Sequence, residues 1–409
     1  VVEAAPVNLL HVIPYYAPAW AYGGVVRAAT DLTRALAAAG HTVWVLTTDT
    51  LSPAARIAAR EETIDGVRVM RVRNASNALR GRLNLASPLG MGRAARRLIR
   101  EQGIDVVHCH ELRTVENLAV APAANALGVP LVVSPHGTLP LDTGRPAIKR
   151  GWDRLVGRGL MRRFDHVIAL TADEAADARA IWAARGAPLP GDRISVVPNG
   201  VHLAEFAALP SGEAFRARWN LGGGPVVLFL GRLHARKGLH LLIPAFAGAV
   251  RDAPDARLLI AGPDEGMLAA LRDLARAHDV GERVIFTGML AGQDKLAALA
   301  AADVFALPAV GEGFSMAVLE AMACKLPVVL TPGCHFPEVE PAGAGLVVER
   351  AVEPLREALR ALLTDAPRRA SMGHSARELV GARFTWPQVV ARLEAVYDRV
   401  ASRQKGASQ

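Results

Sequence analysis

The residues from Gly311 to Leu330 read GEGFSMAVLEAMACKLPVVL and leave few ways to fold. A Gly-rich loop opens the stretch, and Ser315 follows as a helix starter whose hydroxyl can cap free backbone N–H groups. Met316, Leu319, Met322 and Ala323 recur at helical spacing, so the helix lies against a core. Pro327 stops it, and Val328, Val329 and Leu330 run on as a short buried strand. Two acids break the apolar pattern, Glu312 in the loop and Glu320 on the helix, both near its N-terminal end. A helix N-terminus beside glycines suits anionic or hydroxyl-rich ligands, and two carboxylates there can accept hydrogen bonds from hydroxyl groups. Taken singly, each acid reads as well as a complement to the helix dipole or a solvated surface group.

The same grammar of strand, glycine loop and helix opens the chain. Leu9 to Ile13 reads as a buried strand, followed by the loop PYYAPAWAYGG and a helix from about Val25 to Ala39. Gly40 ends that helix, and His41 to Thr47 is the next strand, which completes a Rossmann half-unit. The G-x-G-x-x-G fingerprint is missing, which counts against a dinucleotide. Gly23 and Gly24 before the helix would let backbone amides approach a phosphate, with a plain turn as the alternative. A second unit opens at Pro225 to Leu230 and runs into GRLHARKG. There Arg232 and Lys237, flanked by Gly231 and Gly238, can meet the two charges of a diphosphate at about 1.5–3 kcal/mol per charge-assisted hydrogen bond. Further strands are predicted at Arg257 to Ile260, ahead of Gly262, at Val284 to Thr287, ahead of Met289 and Leu290, and at Asp303 to Leu307.

With 409 residues the chain holds two domains of ordinary size, and 51% apolar residues supply large cores. No window approaches the roughly 18 apolar residues of a spanning helix, and no leader is evident at the start. A soluble, cytoplasmic protein is expected. Cys109, Cys324 and Cys334 show no metal-ligand spacing and read as small hydrophobes in a reducing compartment. The net charge of +8 is uneven: residues 1–200 hold 24 Lys and Arg against 17 Asp and Glu, and the remainder 23 against 22. The first half therefore faces an anionic partner. Nucleic acid is not expected, because no recognition helix or stacking motif appears and aromatics are only 5%.

Two basic runs carry that surplus. Arg80, Arg82, Arg93, Arg96, Arg97 and Arg100 stand in an acid-free stretch. Arg145 to Phe164 adds seven cations with Trp152, Leu155, Val156, Leu160 and Met161 between them at rough helical spacing. Basic amphipathic helices lie on anionic membrane surfaces, each cation contributing about 1 kcal/mol. A helix packed on its own sheet with a solvated arginine face is the alternative. Asp105 to His108 reads as a strand entering a loop His108-Cys109-His110-Glu111, a polar lining rather than a metal site. Pro130 to Ser134 is a strand with His136 at its carboxyl end, where open sheets place ligands. Cys334 and His335 make too few ligands for zinc, and no Asp-x-Asp pair is present to hold a metal.

Gly311-Glu312-Gly313-Phe314, the spacing from Glu312 to Glu320 and the Arg232/Lys237 pair together resemble the retaining glycosyltransferases of family 4 (glycosyl transferases group 1), of the bacterial surface-polysaccharide type. The resemblance covers almost the whole chain and is strongest from Gly231 to Val347. It implies the α/β GT-B fold, two Rossmann-like domains facing across a cleft. The first, residues 1–200, ends at Pro198-Asn199-Gly200-Val201 and would take the acceptor. The second, residues 201–385, would bind the nucleotide sugar, and a terminal helix in 386–409 would cross back. It implies a hexosyltransferase that moves a sugar from a nucleotide-diphosphate sugar (UDP- or GDP-linked) to a hydroxyl of a lipid-linked or polysaccharide acceptor, with retained configuration and neither metal nor cofactor. By that resemblance His136, Arg232, Lys237 and Glu312 are catalytic. Gly23, Gly24, Gly231, Gly262, Met289, Leu290, Gly313, Phe314, Ser315, Met316 and Glu320 bind donor, and the departing phosphate serves as base. The segment TPGCHFPEV departs from the commoner Gly-Gly-x-Pro-Glu form. A sugar-nucleotide epimerase of the same architecture would turn over donor without acceptor. A non-catalytic sugar-binding relative would be expected to have lost the cations or glutamates.

Overall fold

The computed structural model describes residues 6–77, 87–141 and 146–407. The chain divides into two compact units, residues 1–200 with 386–409, and residues 201–385.

The first unit is built on an eight-stranded sheet: β1 (Asn8–Val12), β2 (Thr42–Thr48), β3 (Glu61–Ile64), β4 (Val67–Val72), β5 (Val106–His110), β6 (Leu131–Ser134), β7 (His166–Ala169) and β8 (Ile194–Val196). Their order is β3-β4-β2-β1-β5-β6-β7-β8. All neighbours are parallel except β3, which pairs antiparallel with β4. The central strands are buried on both faces, so Leu9, Leu10, Val106, Val107 and Leu131 to Val133 read as apolar runs rather than alternations. One face packs against helices Met91–Glu101, Val115–Ala126 and Ala172–Ala184 through Leu98, Val120, Ala124 and Trp182. The other packs against helix Gly24–Ala38 and the terminal helix Trp386–Ala407, which buries Trp386, Val389, Leu393, Val396 and Tyr397 against Leu9, Val45 and Val132.

Among the parallel strands the order reverses at β1, which lies between β2 and β5, so the chain builds the sheet from there toward opposite edges. Open sheets bind ligands at such a switch, beyond the carboxyl ends of the strands. The second unit repeats the device with β9 (Val226–Leu230), β10 (Arg257–Ala261), β11 (Val284–Gly288), β12 (Val304–Leu307), β13 (Val328–Leu330) and β14 (Gly345–Val347). Their order is β11-β10-β9-β12-β13-β14, all parallel, with the switch between β9 and β12.

Two expectations are corrected by the fold. The polar residues His108 and His110 do not form a loop but belong to β5, wholly buried. They are held there by partners from β1, β6 and the terminal helix, which satisfy their nitrogens. The basic run after residue 145 is not one amphipathic helix. It is split into Pro146–Trp152, a π-helical turn Asp153–Gly157 and Arg158–Met161. That turn points Asp153 inward, where Arg113 binds both its carboxylate oxygens at 2.8 and 2.9 Å, and leaves Leu155 84% exposed. Arg80, Arg82 and Arg145 lie outside the described residues.

Candidate active site

The switch point of the second sheet gathers most of the residues singled out above. Gly231 and Arg232 leave β9, the short turn Ala235–Lys237 follows, and the loop after β12 runs to Ser315. Two glycines let these backbones touch. Gly238 sits at φ +77°, and a Cβ there would lie 2.1 Å from the carbonyl oxygen of Pro308, on the far side of the switch. Gly262 sits at φ +154° against the Gly231 carbonyl oxygen, 1.8 Å from where a Cβ would fall. The close approach explains both residues better than turn flexibility does.

On this floor Lys237 Nζ donates to Glu312 Oε2 at 2.8 Å, each side chain only 15% exposed. Backbone bonds fix the loop that presents Glu312: its amide donates to the Gly333 carbonyl at 2.9 Å, and the Val310 amide to the Arg236 carbonyl at 2.8 Å. Arg236, which sequence reasoning passed over, donates through its guanidinium to the carbonyl of Gly311 at 2.7 Å. Arg232 stands at the same edge but exposed, bonded to Glu265 at 2.6 Å. Glu320 is buried on helix Met316–Ala323 and accepts from Lys295 Nζ at 2.7 Å, so it is neither solvated nor unpaired. Lys295 and Glu265 carry no sequence signal, because each belongs to an element distant in sequence from its partner.

Ser315 occupies the helix N-cap in extended conformation, yet its hydroxyl caps nothing, contrary to expectation. Among the described residues no backbone acceptor takes the amides of Gly313, Phe314 or Ser315. A helix N-terminus with unused donors therefore opens beside the Lys237–Glu312 pair, the geometry that binds anionic oxygens. Phe314 packs its ring on Phe336 and Phe384, at 4.5 and 5.9 Å between centroids, which anchors the loop's apolar side. Met289, after β11, is 65% exposed, and Leu290 is half-buried. The helix ends at Ala323 with Cys324 as its C-cap, and Lys325, at φ +61°, turns the chain away ahead of Pro327.

In the first unit Gly23, at φ +92°, caps helix Gly24–Ala38, and both glycines are exposed with open space around them. His136 follows β6 in left-handed conformation, φ +55°. Glu174, buried on helix Ala172–Ala184, holds that turn by accepting from the amides of Gly137 and Leu170. The ring of His136 accepts or donates through Nε2 to His110 Nδ1 at 2.8 Å, and His110 Nε2 continues to His11 Nδ1 at 2.9 Å. Burial pushes His136 down to about 4 and His11 down to about 3, so both are neutral near pH 7. The alternation of His108 and His110 along a strand was the one signal that could have placed them on one face.

Comparison with known proteins agrees with this architecture. The family model for Glycosyltransferase Family 4 matches residues 22–205, and that for Glycosyl transferases group 1 matches residues 212–379. A GDP-mannose-dependent monoacylated alpha-(1-6)-phosphatidylinositol monomannoside mannosyltransferase from Corynebacterium glutamicum is 38% identical over 208 residues. That match spans 48% of this chain and about half, 54%, of the relative. A D-inositol 3-phosphate glycosyltransferase from Kineococcus radiotolerans is 32% identical over 93% of this chain and 92% of its own length. Among solved structures, sucrose-phosphate synthase from Thermosynechococcus elongatus superposes with a TM-score of 0.73 at 23% identity, covering 98% of this chain and 100% of that one. Two parallel-sheet domains of the GT-B kind, matched end to end by such relatives, make this chain a member of glycosyltransferase family 4.

Proposed function

We propose that the chain transfers a hexose from a nucleotide-diphosphate sugar to an acceptor hydroxyl, with retained anomeric configuration and without a metal. The observation that carries this is the Lys237–Glu312 pair seated beside an unspent helix N-terminus at the switch of the second sheet. Lys237 and Arg232 neutralise the leaving diphosphate, the electrostatic contribution that usually dominates such transfers. Glu312 and the amides of Phe314 and Ser315 orient the sugar, and Glu320 holds the ribose through the oxygen that Lys295 leaves open; for the first unit, the family resemblance implies that His136 meets the donor sugar and Gly24 its diphosphate. The departing phosphate oxygen takes the acceptor's proton.

Two of the relatives named above act, by their names, on phosphorylated inositol acceptors. An anionic acceptor suits the charge distribution: the first unit holds 28 Lys and Arg against 19 Asp and Glu, the second 19 against 20. The decisive test is thermal shift with GDP, UDP, ADP and their sugars in EDTA. A ligand at 100 times its Kd adds about 2.7 kcal/mol to the stability of the folded state, so one nucleotide should raise the melting temperature by several degrees. GDP-mannose is tried first, since the first relative is named for it. No response to any nucleotide would sink the proposal.

The acceptor-side surface supports attachment to an anionic membrane. Helix Met91–Glu101 buries Met91, Ala95, Leu98 and Ile99 and turns Arg93, Arg96, Arg97 and Arg100 to solvent in one stripe. Beyond it Ile148 and Leu155 are 42% and 84% exposed among Arg150, Arg154 and Arg158. No helix among the described residues is long and apolar enough to cross a membrane, so this attachment would be peripheral. Replacing Arg154 and Arg158 by Glu and Leu155 by Asp should weaken binding to phosphatidylglycerol vesicles by about 100-fold, at roughly 1 kcal/mol per cation plus the lost apolar contact. Unchanged sedimentation with vesicles would refute it.

A further inference from the structure

Four histidine rings line up at the switch of the first sheet, and three of them form one hydrogen-bonded chain. His110 stacks on His108 and on His136, with centroids 4.5 and 5.1 Å apart and planes within 16°. His108 stands apart from the chain chemically, because hydroxyls occupy both its nitrogens: Tyr397 at Nδ1 and Ser134 at Nε2, each at 2.8 Å. His110 uses both nitrogens within the chain, toward His11 and His136.

Proton counting leaves two arrangements. A neutral imidazole carries one N–H, so His110 donates at one nitrogen and accepts at the other. Either every donor points outward, from His11 through His110 to His136, or every donor points inward. The inward arrangement puts an N–H on His11 Nε2, which is wholly buried and has no acceptor among the described residues. The outward arrangement leaves only a bare lone pair there. Buried N–H groups without acceptors are the rarer defect.

We propose that His11 and His110 are positioning residues that lock His136 as its Nδ1-protonated tautomer, so that its outer edge is a hydrogen-bond donor and not a base. This rests on the reading that His136 meets the donor sugar. A donor edge there recognises a ligand oxygen with an available lone pair, a hexose hydroxyl or ring oxygen, and leaves the acceptor's proton to the phosphate. Nitrogens of a different trio, His11, His108 and His110, lie within 4.8 Å of one another and could hold a cation. Against that, the cluster brings only neutral, fully buried imidazoles, and binding would break bonds that already satisfy both nitrogens of His108 and of His110.

The test is long-range ¹H–¹⁵N NMR of the full chain labelled at histidine, at pH 7.5, with EDTA and then with added Zn²⁺; the His136→Gln spectrum assigns the signal. The expected result is a protonated Nδ1 and a bare Nε2 on His136 in EDTA, unmoved by zinc. A protonated Nε2, or signals that zinc shifts and EDTA restores, overturns the proposal. Among variants, His110→Asn retains a donor toward His136 and should keep kcat within about 3-fold. His110→Asp accepts instead, reverses the bond, and should lower kcat at least about 10-fold with KM for the nucleotide sugar unchanged. Equal kcat for both would overturn the role of the tautomer. Wild-type transfer by His136→Ala would overturn the sugar contact itself, a failure that the NMR result separates from the first.

Discussion

Lys237→Ala is expected to lower kcat by about 10²–10³ and to abolish the thermal stabilisation by nucleotide, while the melting temperature of the free protein shifts by only a few degrees. The size follows from what surrounds the ammonium. Lys237 Nζ and Glu312 Oε2 are 2.8 Å apart in a site from which most water is excluded, with 15% of each side chain exposed. Removing the cation takes away one charge-assisted bond to the diphosphate, roughly 1.5–3 kcal/mol. It also leaves the Glu312 carboxylate facing a dianion with nothing between them. At 4 Å and an effective dielectric of 20 that repulsion is about 4 kcal/mol per pair of charges. The two losses separate by a cycle. Glu312→Gln should bind nucleotide as well as the parent or better, yet transfer poorly, because the group that orients the sugar is weakened. Lys237→Ala combined with Glu312→Gln should regain part of the nucleotide binding without regaining transfer. Wild-type turnover by Lys237→Ala, or additive effects on nucleotide binding in the double variant, would remove Lys237 from the diphosphate site.

Why some of this was legible in the sequence and some not follows from the range of each interaction. β1, β9 and β12 announce themselves because a parallel strand covered on both faces must be apolar throughout, and its loop must be short and glycine-bearing where it turns toward a helix. Glu312 and Lys237 were readable as a site because each stands in its own glycine frame. Their pairing, 75 positions apart, was not. Lys295 and Glu265 were invisible for the same reason: their partners Glu320 and Arg232 lie 25 and 33 positions away, and a charge on a helix or loop has a solvated face as its default. β5 was read too short because His108 and His110 are the wrong chemistry for a buried strand until Tyr397, 289 positions on, and Ser134 and His11 are brought to them. Ser315 was read correctly as the start of a helix, but its hydroxyl does not cap, which a sequence pattern cannot distinguish from one that does.

Those same buried rings make the first unit sensitive to acid, and the sign is set by which state binds protons. In the unfolded chain a histidine titrates near 6.5. Folded, burial holds His11 down to about 3 and both His136 and His166 to about 4, with His108 and His110 displaced in the same direction. Above pH 6.5 both states are neutral and stability does not change with pH on their account. Between 6.5 and about 4 the unfolded chain takes up protons that the folded one refuses, so stability falls as pH falls. At pH 5 each of the three costs about 2 kcal/mol, roughly 6 together, against a total of about 5–15 for a typical domain. The first unit is therefore expected to unfold cooperatively between about pH 6 and 4.5. Trp20, Trp44, Trp152, Trp182 and Trp386 all belong to it and only Trp219 to the second unit, so intrinsic fluorescence follows the transition. His166→Gln, which can still bond Ser195 but cannot take a proton, should move the midpoint to lower pH by removing about 2 kcal/mol of the acid penalty at pH 5. A fluorescence-detected melting temperature that stays level down to pH 4.5 would mean these rings are charged or solvated in the folded protein, and the neutral histidine chain behind His136 would fall with it.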